Sequence, residues 1–348
     1  MLIVVDGRCN LTTDNRSLSI CPIIRYIFLF AVLSMFSGHA VTETPQTAHR
    51  FYDSVVDIYA KVPPEARTAN SLGQERAGTG VVIDGGYILT IGYLVIEASE
   101  IKIGLSNGQT VPGTLVGYDH TTGFGILKSV VPASLTALKL GDSGKIQIDE
   151  SLLILPAPQQ GFSSLAQMVS RRPFAGWWEY YLEDPIYTFP TNQAWAGAPL
   201  LNSEGEILGI GSLFVADAVS QGVMSPGNLF VPINLLKPIL ADLTEFGRRK
   251  TNVKPYLGLS SDDSSGQVVI TRVNKEGPSA KVGILAQDII THVNQTPVTT
   301  LKEFYEAVWG SGESGSIVSL GITRAGQDIS LRVQTVDRMD YFVKPKSY

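Results

Sequence analysis

The stretch Gly78-Thr79-Gly80-Val81-Val82-Ile83-Asp84-Gly85-Gly86-Tyr87-Ile88-Leu89-Thr90 reads as two short β-strands joined by a tight turn. Valine, isoleucine and tyrosine suit a pleated, half-buried backbone, and Asp84-Gly85-Gly86 supplies residues that accept turn conformations closed to branched side chains. The same punctuated pattern extends outward over residues 78–233. Further β-type runs occupy 101–105, 125–127, 152–155 and 207–213, with turns at Ser106-Asn107-Gly108 and Ser203-Glu204-Gly205. Short strands at this regular spacing predict an all-β barrel or sandwich.

A helix is predicted next, capped by Asn234, with Leu235, Leu236, Ile239, Leu240, Leu243 and Phe246 on one face and Gly247 at its end. Residues 248–255 are polar and basic and read as an interdomain linker. Strand-like runs return at 268–270, 318–322 and 329–333, the last two alternating with period two. Between them Leu301, Phe304, Tyr305 and Val308 stand at the i, i+3, i+4, i+7 spacing of an amphipathic helix. Residues 256–340 therefore predict a second, α+β module.

A chain of 348 residues with 44% hydrophobic and 17% charged side chains can bury two cores. Its formal net charge is −5, and its longest basic run is Arg248-Arg249-Lys250, which argues against a nucleic-acid partner. Residues 1–40 read as an export signal: Arg25 precedes an apolar run over 26–36, and Gly38-His39-Ala40 offers small residues for cleavage. That apolar run is too short to span a bilayer as an anchor. The stretch before Arg25 is long for such a signal, which points to a translation start further downstream. Cys9 and Cys21 both fall inside the segment. The exported chain would then be cysteine-free, without disulfides, thiol catalysis or cysteine-ligated metal.

Four segments, in order, resemble the HtrA family of exported trypsin-like serine proteases with C-terminal PDZ domains. Residues 78–84 with 86–90 resemble the strand pair leading to the catalytic histidine, and 122–128 the stretch that opens with the catalytic aspartate. Ala196-Gly197-Ala198-Pro199-Leu200-Leu201-Asn202 with 205–210 resembles the region of the nucleophile, and Val231-Pro232-Ile233-Asn234 the exit into the terminal helix. The resemblance covers residues 51–340. It implies a mostly β protein: a trypsin-like double β-barrel over 41–247, a linker over 248–255, and an α+β PDZ domain over 256–340.

Carried over position by position, the resemblance puts Tyr93, Gly123 and Ala196 where the histidine, aspartate and serine belong. A phenol titrating near pH ~10 is no useful base at neutrality. Glycine has no side chain to orient a base, and alanine no hydroxyl to activate. Where the family has glycines around its nucleophile, so that two backbone N–H groups face the oxyanion, this chain has Ala194, Trp195 and Ala198. Trp195 is expected to fill space that substrate would occupy. The expectation is an inactive homologue without metal or cofactor.

Replacement chemistry has few candidates. Of the four histidines, His39 lies in the export segment, His49 near the start of the exported chain, His292 on a C-terminal strand, and His120 beside Gly123, read here as an exposed turn residue. A serine–lysine pair would draw on Ser203, which sits in a turn, and Lys128, which is expected in solvent. The aromatic run Trp177-Trp178-Glu179-Tyr180-Tyr181 reads either as a loop that grips a partner or as a lid packed over the cleft, with the lid preferred.

Tyr256-Leu257-Gly258-Leu259 resembles the carboxylate-binding loop of PDZ domains, in which successive backbone N–H groups form a nest for a chain terminus. The helical face of Leu301, Phe304, Tyr305 and Val308 would line the pocket for the last side chain, and Gly277-Pro278-Ser279-Ala280 with 283–290 resembles the segment between. The implied function is an exported, periplasmic pseudoprotease that binds peptide or protein C-termini or unfolded segments as chaperone, adaptor or regulator. It would assemble as a homotrimer, or as a mixed trimer with active HtrA-type proteases, with Phe51, Tyr52 and Tyr59 either at the contact or in the barrel core. The rival is an active serine endopeptidase with a non-standard catalytic set.

Overall fold

Residues 46–133 and 135–342 are described in a computed structural model. Residues 1–40, read as an export signal and holding Cys9 and Cys21, lie outside the described residues. The quoted stretch forms the hairpin between the second and third strands: Val81 pairs with Leu89, Val82 with Ile88 and Ile83 with Tyr87, across Gly85 and Gly86 at φ +79° and +70°. Val81, Ile83, Ile88 and Leu89 are fully buried. Six strands close the first barrel: β1 (Val55–Lys61), β2 (Glu75–Ile83), β3 (Tyr87–Ile91), β4 (Glu100–Gly104), β5 (Thr110–Tyr118) and β6 (Phe124–Ser129), in the order β1-β2-β3-β6-β5-β4. Closure leaves no edge strand free to pair with another chain.

The second barrel opens with β7 (Ser151–Ile154) and β8 (Ser164–Ser170). A separate hairpin follows, β9 (Phe174–Gly176) and β10 (Tyr180–Leu182), before β11 (Ile186–Phe189), β12 (Pro199–Leu201), β13 (Ile207–Val215) and β14 (Gly227–Pro232). Its closed order is β11-β14-β13-β12-β7-β8. Gly211 allows the sharp packing at the cleft, because a Cβ there would lie 1.9 Å from the Trp195 carbonyl oxygen. The trypsin-like double barrel expected from the resemblance is present. Phe51 is core rather than a contact candidate: its ring covers Gly205, where a Cβ would approach within 2.2 Å. Tyr52 is half-buried and Tyr59 exposed.

The helix predicted from Asn234 needs correction. Ile233–Leu235 is a single 3₁₀ turn, and the α-helix runs only over Leu240–Phe246, closed by Gly247 at φ +75°. Pro238 is the cause, since it cannot donate to the Asn234 carbonyl four residues back. Asn234 caps nothing helical; its Nδ2 donates to Asp142 Oδ1 at 2.7 Å. Leu236, Ile239 and Leu243 are buried as expected, whereas Leu235 and Phe246 are exposed.

The C-terminal module holds β15 (Leu259–Asp262), β16 (Val268–Val273), β17 (Ile289–Val293), β18 (Thr296–Pro297), β19 (Ile317–Arg324) and β20 (Gln327–Gln334). They run in the order β15-β16-β17-β19-β20, with β18 on β17. The amphipathic helix spans Leu301–Gly310, started by a reciprocal capping box between Thr300 and Glu303.

Residues 248–255 are pinned to both neighbours. Arg249 grips Asp119 of the first barrel with Nε–Oδ1 at 3.1 Å and Nη2–Oδ2 at 3.0 Å, while Arg248 binds Asp337 and Asp340. Burial alone would raise the Asp119 carboxyl, but Arg249, with help from His120 and Thr122, holds it below the usual carboxylate range. Asp119 is 2% exposed, so Arg249→Ala would strand a buried charge. We expect that variant to lose about 3 kcal/mol in urea unfolding. A loss below about 1 kcal/mol would show that Thr122 alone satisfies the carboxylate.

Candidate functional site

Between the barrels lies a cavity of about 440 Å³ whose wall includes Tyr93, His120, Gly123, Tyr180, Trp195 and Phe214. Tyr93 follows β3 and spans the cleft, its hydroxyl donating to the Ser212 carbonyl of β13 at 3.0 Å. Burial pushes its phenol further up from the ordinary value, so it stays protonated. Gly123 sits at φ +85°, where a Cβ would lie 3.2 Å from Ile91 and 3.3 Å from the Tyr180 hydroxyl. That hydroxyl donates to the Thr122 carbonyl at 2.8 Å. The Ala196 carbonyl accepts from the Thr79 N–H at 2.9 Å, tying the turn to β2.

Around Ala196 the only left-handed residue is Gly197, at φ +75°; Ala194, Trp195, Ala196 and Ala198 are not. A Cβ at Gly197 would lie 2.0 Å from the Thr79 oxygen. Three N–H groups of this turn are engaged within the chain: Ala194 donates to Asn192 Oδ1 at 2.8 Å, Gly197 to Gly211 and Ala198 to Trp195. Trp195 packs against Phe214 with ring centres 6.0 Å apart, on the cavity wall.

His120 is not the exposed turn residue expected. It is 6% exposed, because the turn 119–123 folds inward under Arg249 and the C-terminal segment. Its Nδ1 stands 4.0 Å from Asp337 Oδ1, beyond hydrogen-bond reach, and no hydroxyl among the described residues is hydrogen-bonded to the ring. Burial lowers its pKa to about 4; Asp119 and Asp337 oppose that shift, whereas Arg338 and Arg249 reinforce it. Lys128 is exposed with its Nζ 5.1 Å over the Tyr87 ring, and Ser203 is an exposed turn residue bonded to Glu204. His292 is exposed on β17, as expected, and His49 is exposed too.

The second constellation gathers the predicted peptide-binding residues. Gly258 turns at φ +80° between Leu257 and Leu259, and these two leucines share one buried cluster with Leu301, Phe304, Tyr305 and Val308. Tyr256 is buried beside them, its hydroxyl accepting from Asn274 Nδ2 at 2.6 Å. The nest N–H groups meet a carboxylate, that of Glu179: Leu257 N donates to Oε2 at 2.9 Å and Leu259 N to Oε1. Burial raises the Glu179 carboxyl from its ordinary value, against the pull of these N–H groups and of Arg338. The aromatic run thus packs in two directions. Trp178 stacks on Tyr180 at 5.8 Å over the cleft, whereas Tyr181 joins the core of the C-terminal module. Sequence reasoning passed over Glu179. Its signal was a lone carboxylate among four aromatic residues, where a charge needs partners.

Residues 78–210 match the trypsin-like peptidase domain family and residues 255–335 the PDZ domain family. Relatives include the periplasmic serine endoprotease DegP of Salmonella typhimurium, 28% identical over 271 residues, covering 74% of this chain and 56% of that protein. The periplasmic pH-dependent serine endoprotease DegQ of Escherichia coli is 28% identical over 276 residues, covering 74% of this chain and 59% of that one. The serine endoprotease DegS of Haemophilus influenzae is 26% identical, covering 80% and 83%. The chain is thus similar to serine endoproteases that pair a trypsin-like domain with a PDZ domain. It spans little more than half the length of the DegP and DegQ relatives. Its fold is shared with the HtrA-type protease AlgW with decapeptide, at a TM-score of 0.52 and 21% identity over 86% of this chain and 98% of that one. No helix among the described residues is long and apolar enough to cross a membrane.

The buried imidazole has a measurable consequence. Between pH 6.5, the ordinary histidine value, and about 4, the unfolded chain takes up a proton that folded His120 refuses. Its contribution is therefore intact above pH 6.5 and lost as the pH falls through that window. Urea unfolding at pH 7, 5.5 and 4 should show His120→Gln sparing up to about 3 kcal/mol of that loss. Equal acid sensitivity in parent and variant would assign the effect to other groups.

Proposed function

We propose that this chain is an exported HtrA-like protein without peptidase activity that binds peptide C-termini or unfolded segments as chaperone, adaptor or regulator. The observation that carries the reading is the set of groups in the inter-barrel cleft. A phenol bonded to a backbone carbonyl stands at position 93, bare backbone at 123 and a methyl at 196, with the Ala194 N–H engaged by Asn192. None of these side chains abstracts a proton or attacks a carbonyl, and the Ala194 N–H is already taken rather than free for an oxyanion. The C-terminal module keeps a glycine-turned N–H nest beside an apolar helix face, the arrangement that captures a chain terminus by strand addition. Assembly as a homotrimer, or with active relatives of the same family, belongs to the same proposal, as does a periplasmic location like that named for the DegP and DegQ relatives.

The rival, an endopeptidase with a substituted catalytic set, has in its favour the names of the relatives and the buried His120 beside Asp337. Two experiments separate them. The purified chain should digest no casein and take no fluorophosphonate label, and Ala196→Ser should gain neither, because Tyr93 and Gly123 supply neither a base nor the carboxylate that would orient one. Labelling abolished by a single serine substitution would establish the rival. For the binding half, Gly258→Val forces a branched residue into φ +80°, and should weaken tail-peptide binding at least about tenfold with the barrels still folded. Unchanged affinity would place the binding site elsewhere.

A further inference from the structure

The turn of the β9–β10 hairpin lies along the groove between β15 and the helix Leu301–Gly310 in the manner of a bound peptide. The Glu179 carboxylate takes the nest N–H groups of Leu257 and Leu259. Two residues upstream, the Trp177 carbonyl accepts from the Ser261 N–H at 3.0 Å, and Ser261 lies two residues beyond Leu259 along β15. A carboxylate in the loop and a backbone carbonyl two residues back on the adjoining strand is the pairing that strand addition of a chain terminus makes.

The remaining contacts hold this turn in place. The Tyr305 hydroxyl donates to the Gly176 carbonyl at 2.6 Å and accepts from the Glu179 N–H at 3.2 Å. Arg338 Nη1 donates to the Trp178 and Glu179 carbonyls at 3.1 and 3.2 Å. Tyr181 enters the apolar cluster of the module, edge-on to Trp309 at 5.9 Å, and its hydroxyl donates to Glu306 at 2.6 Å. Glu179 is 5% exposed and holds φ +54°, a backbone conformation that side-chain-bearing residues seldom adopt. A hairpin turn alone requires neither a carboxylate nor its burial, and a buried carboxylate is tolerated only where donors meet it. The nest is what meets it.

We infer that Trp177-Trp178-Glu179 is the resident ligand of the PDZ groove, with the Glu179 side chain standing in for a chain terminus. An extended peptide with a free C-terminal carboxylate binds there by displacing the turn. The inference rests on the reading of this groove as a tail-binding site. It gives that site a built-in competitor, present at the high effective concentration of a group on the same chain. Trp177, Trp178 and Tyr180 also line the inter-barrel cavity, so the displaced turn takes part of that wall with it.

The test uses the full chain and the hexapeptide Phe-Ala-Gly-Trp-Trp-Glu, copied from residues 174–179, labelled at its N-terminus and carrying a free carboxylate. Glu179→Gln removes the competing charge, and Tyr305→Phe removes the clamp while leaving the nest untouched. Both variants should bind the peptide at least about tenfold tighter than the parent by fluorescence anisotropy, and none should bind its C-terminal amide. The Leu257 and Leu259 amides should exchange hydrogen at least about tenfold faster in Glu179→Gln than in the parent, with the barrel amides unchanged. Equal exchange at those two amides, or equal peptide affinity in parent and both variants, overturns the inference while leaving tail binding intact. Faster exchange with no peptide bound by any form supports the resident turn and removes the tail-binding reading instead.

Discussion

Keeping one carboxylate out of water organises the meeting of the two halves of this molecule. Glu179 belongs to the separate hairpin that lies in sequence between strands of the second barrel, yet its donors lie 78 and 80 residues further along the chain. Its burial would be untenable without them. Because they are backbone N–H groups of the PDZ loop, the hairpin and the C-terminal module are held at a fixed separation. Tyr305 and Arg338 complete the attachment by satisfying the carbonyl and N–H groups that the turn leaves unpaired.

A second buried carboxylate does similar work at the other end of the contact. Asp119 sits under the first barrel and is gripped by Arg249 of the connecting segment, directly after the helix that Gly247 closes. The connection between the modules is therefore held by specific charge pairs rather than hanging free. His120 is buried by the same arrangement, between Asp119 and Asp337 and close to two arginines. The cleft that these elements enclose is lined with aromatic rings joined by hydroxyl-to-carbonyl bonds. Tyr93 reaches Ser212, joining the two barrels, and Tyr180 reaches Thr122, joining the β9–β10 hairpin to the first barrel across the space they border.

Much of the fold was legible locally. The β2–β3 hairpin could be read because branched side chains and a glycine turn act over a dozen residues. The helix Leu301–Gly310 could be read because its apolar face repeats at helical spacing. The break at 234–239 is also local: Pro238 lacks the N–H that the apolar stripe would need to continue as a helix. The placement of His120 and Glu179 was of a different kind. Each looks polar and solvated in its own neighbourhood, and each is buried by groups that arrive from the far end of the chain.

The amino-acid sequence by itself determined which functional groups stand at positions 93, 123 and 196, and where strands, turns and the amphipathic helix begin. Those properties are covalent or depend on neighbours a few residues away. Only the tertiary structure decided that the PDZ nest already holds a carboxylate and that the imidazole near Gly123 is buried. Desolvation and hydrogen-bond pairing depend on which distant segments pack together, and no short window of sequence contains that information.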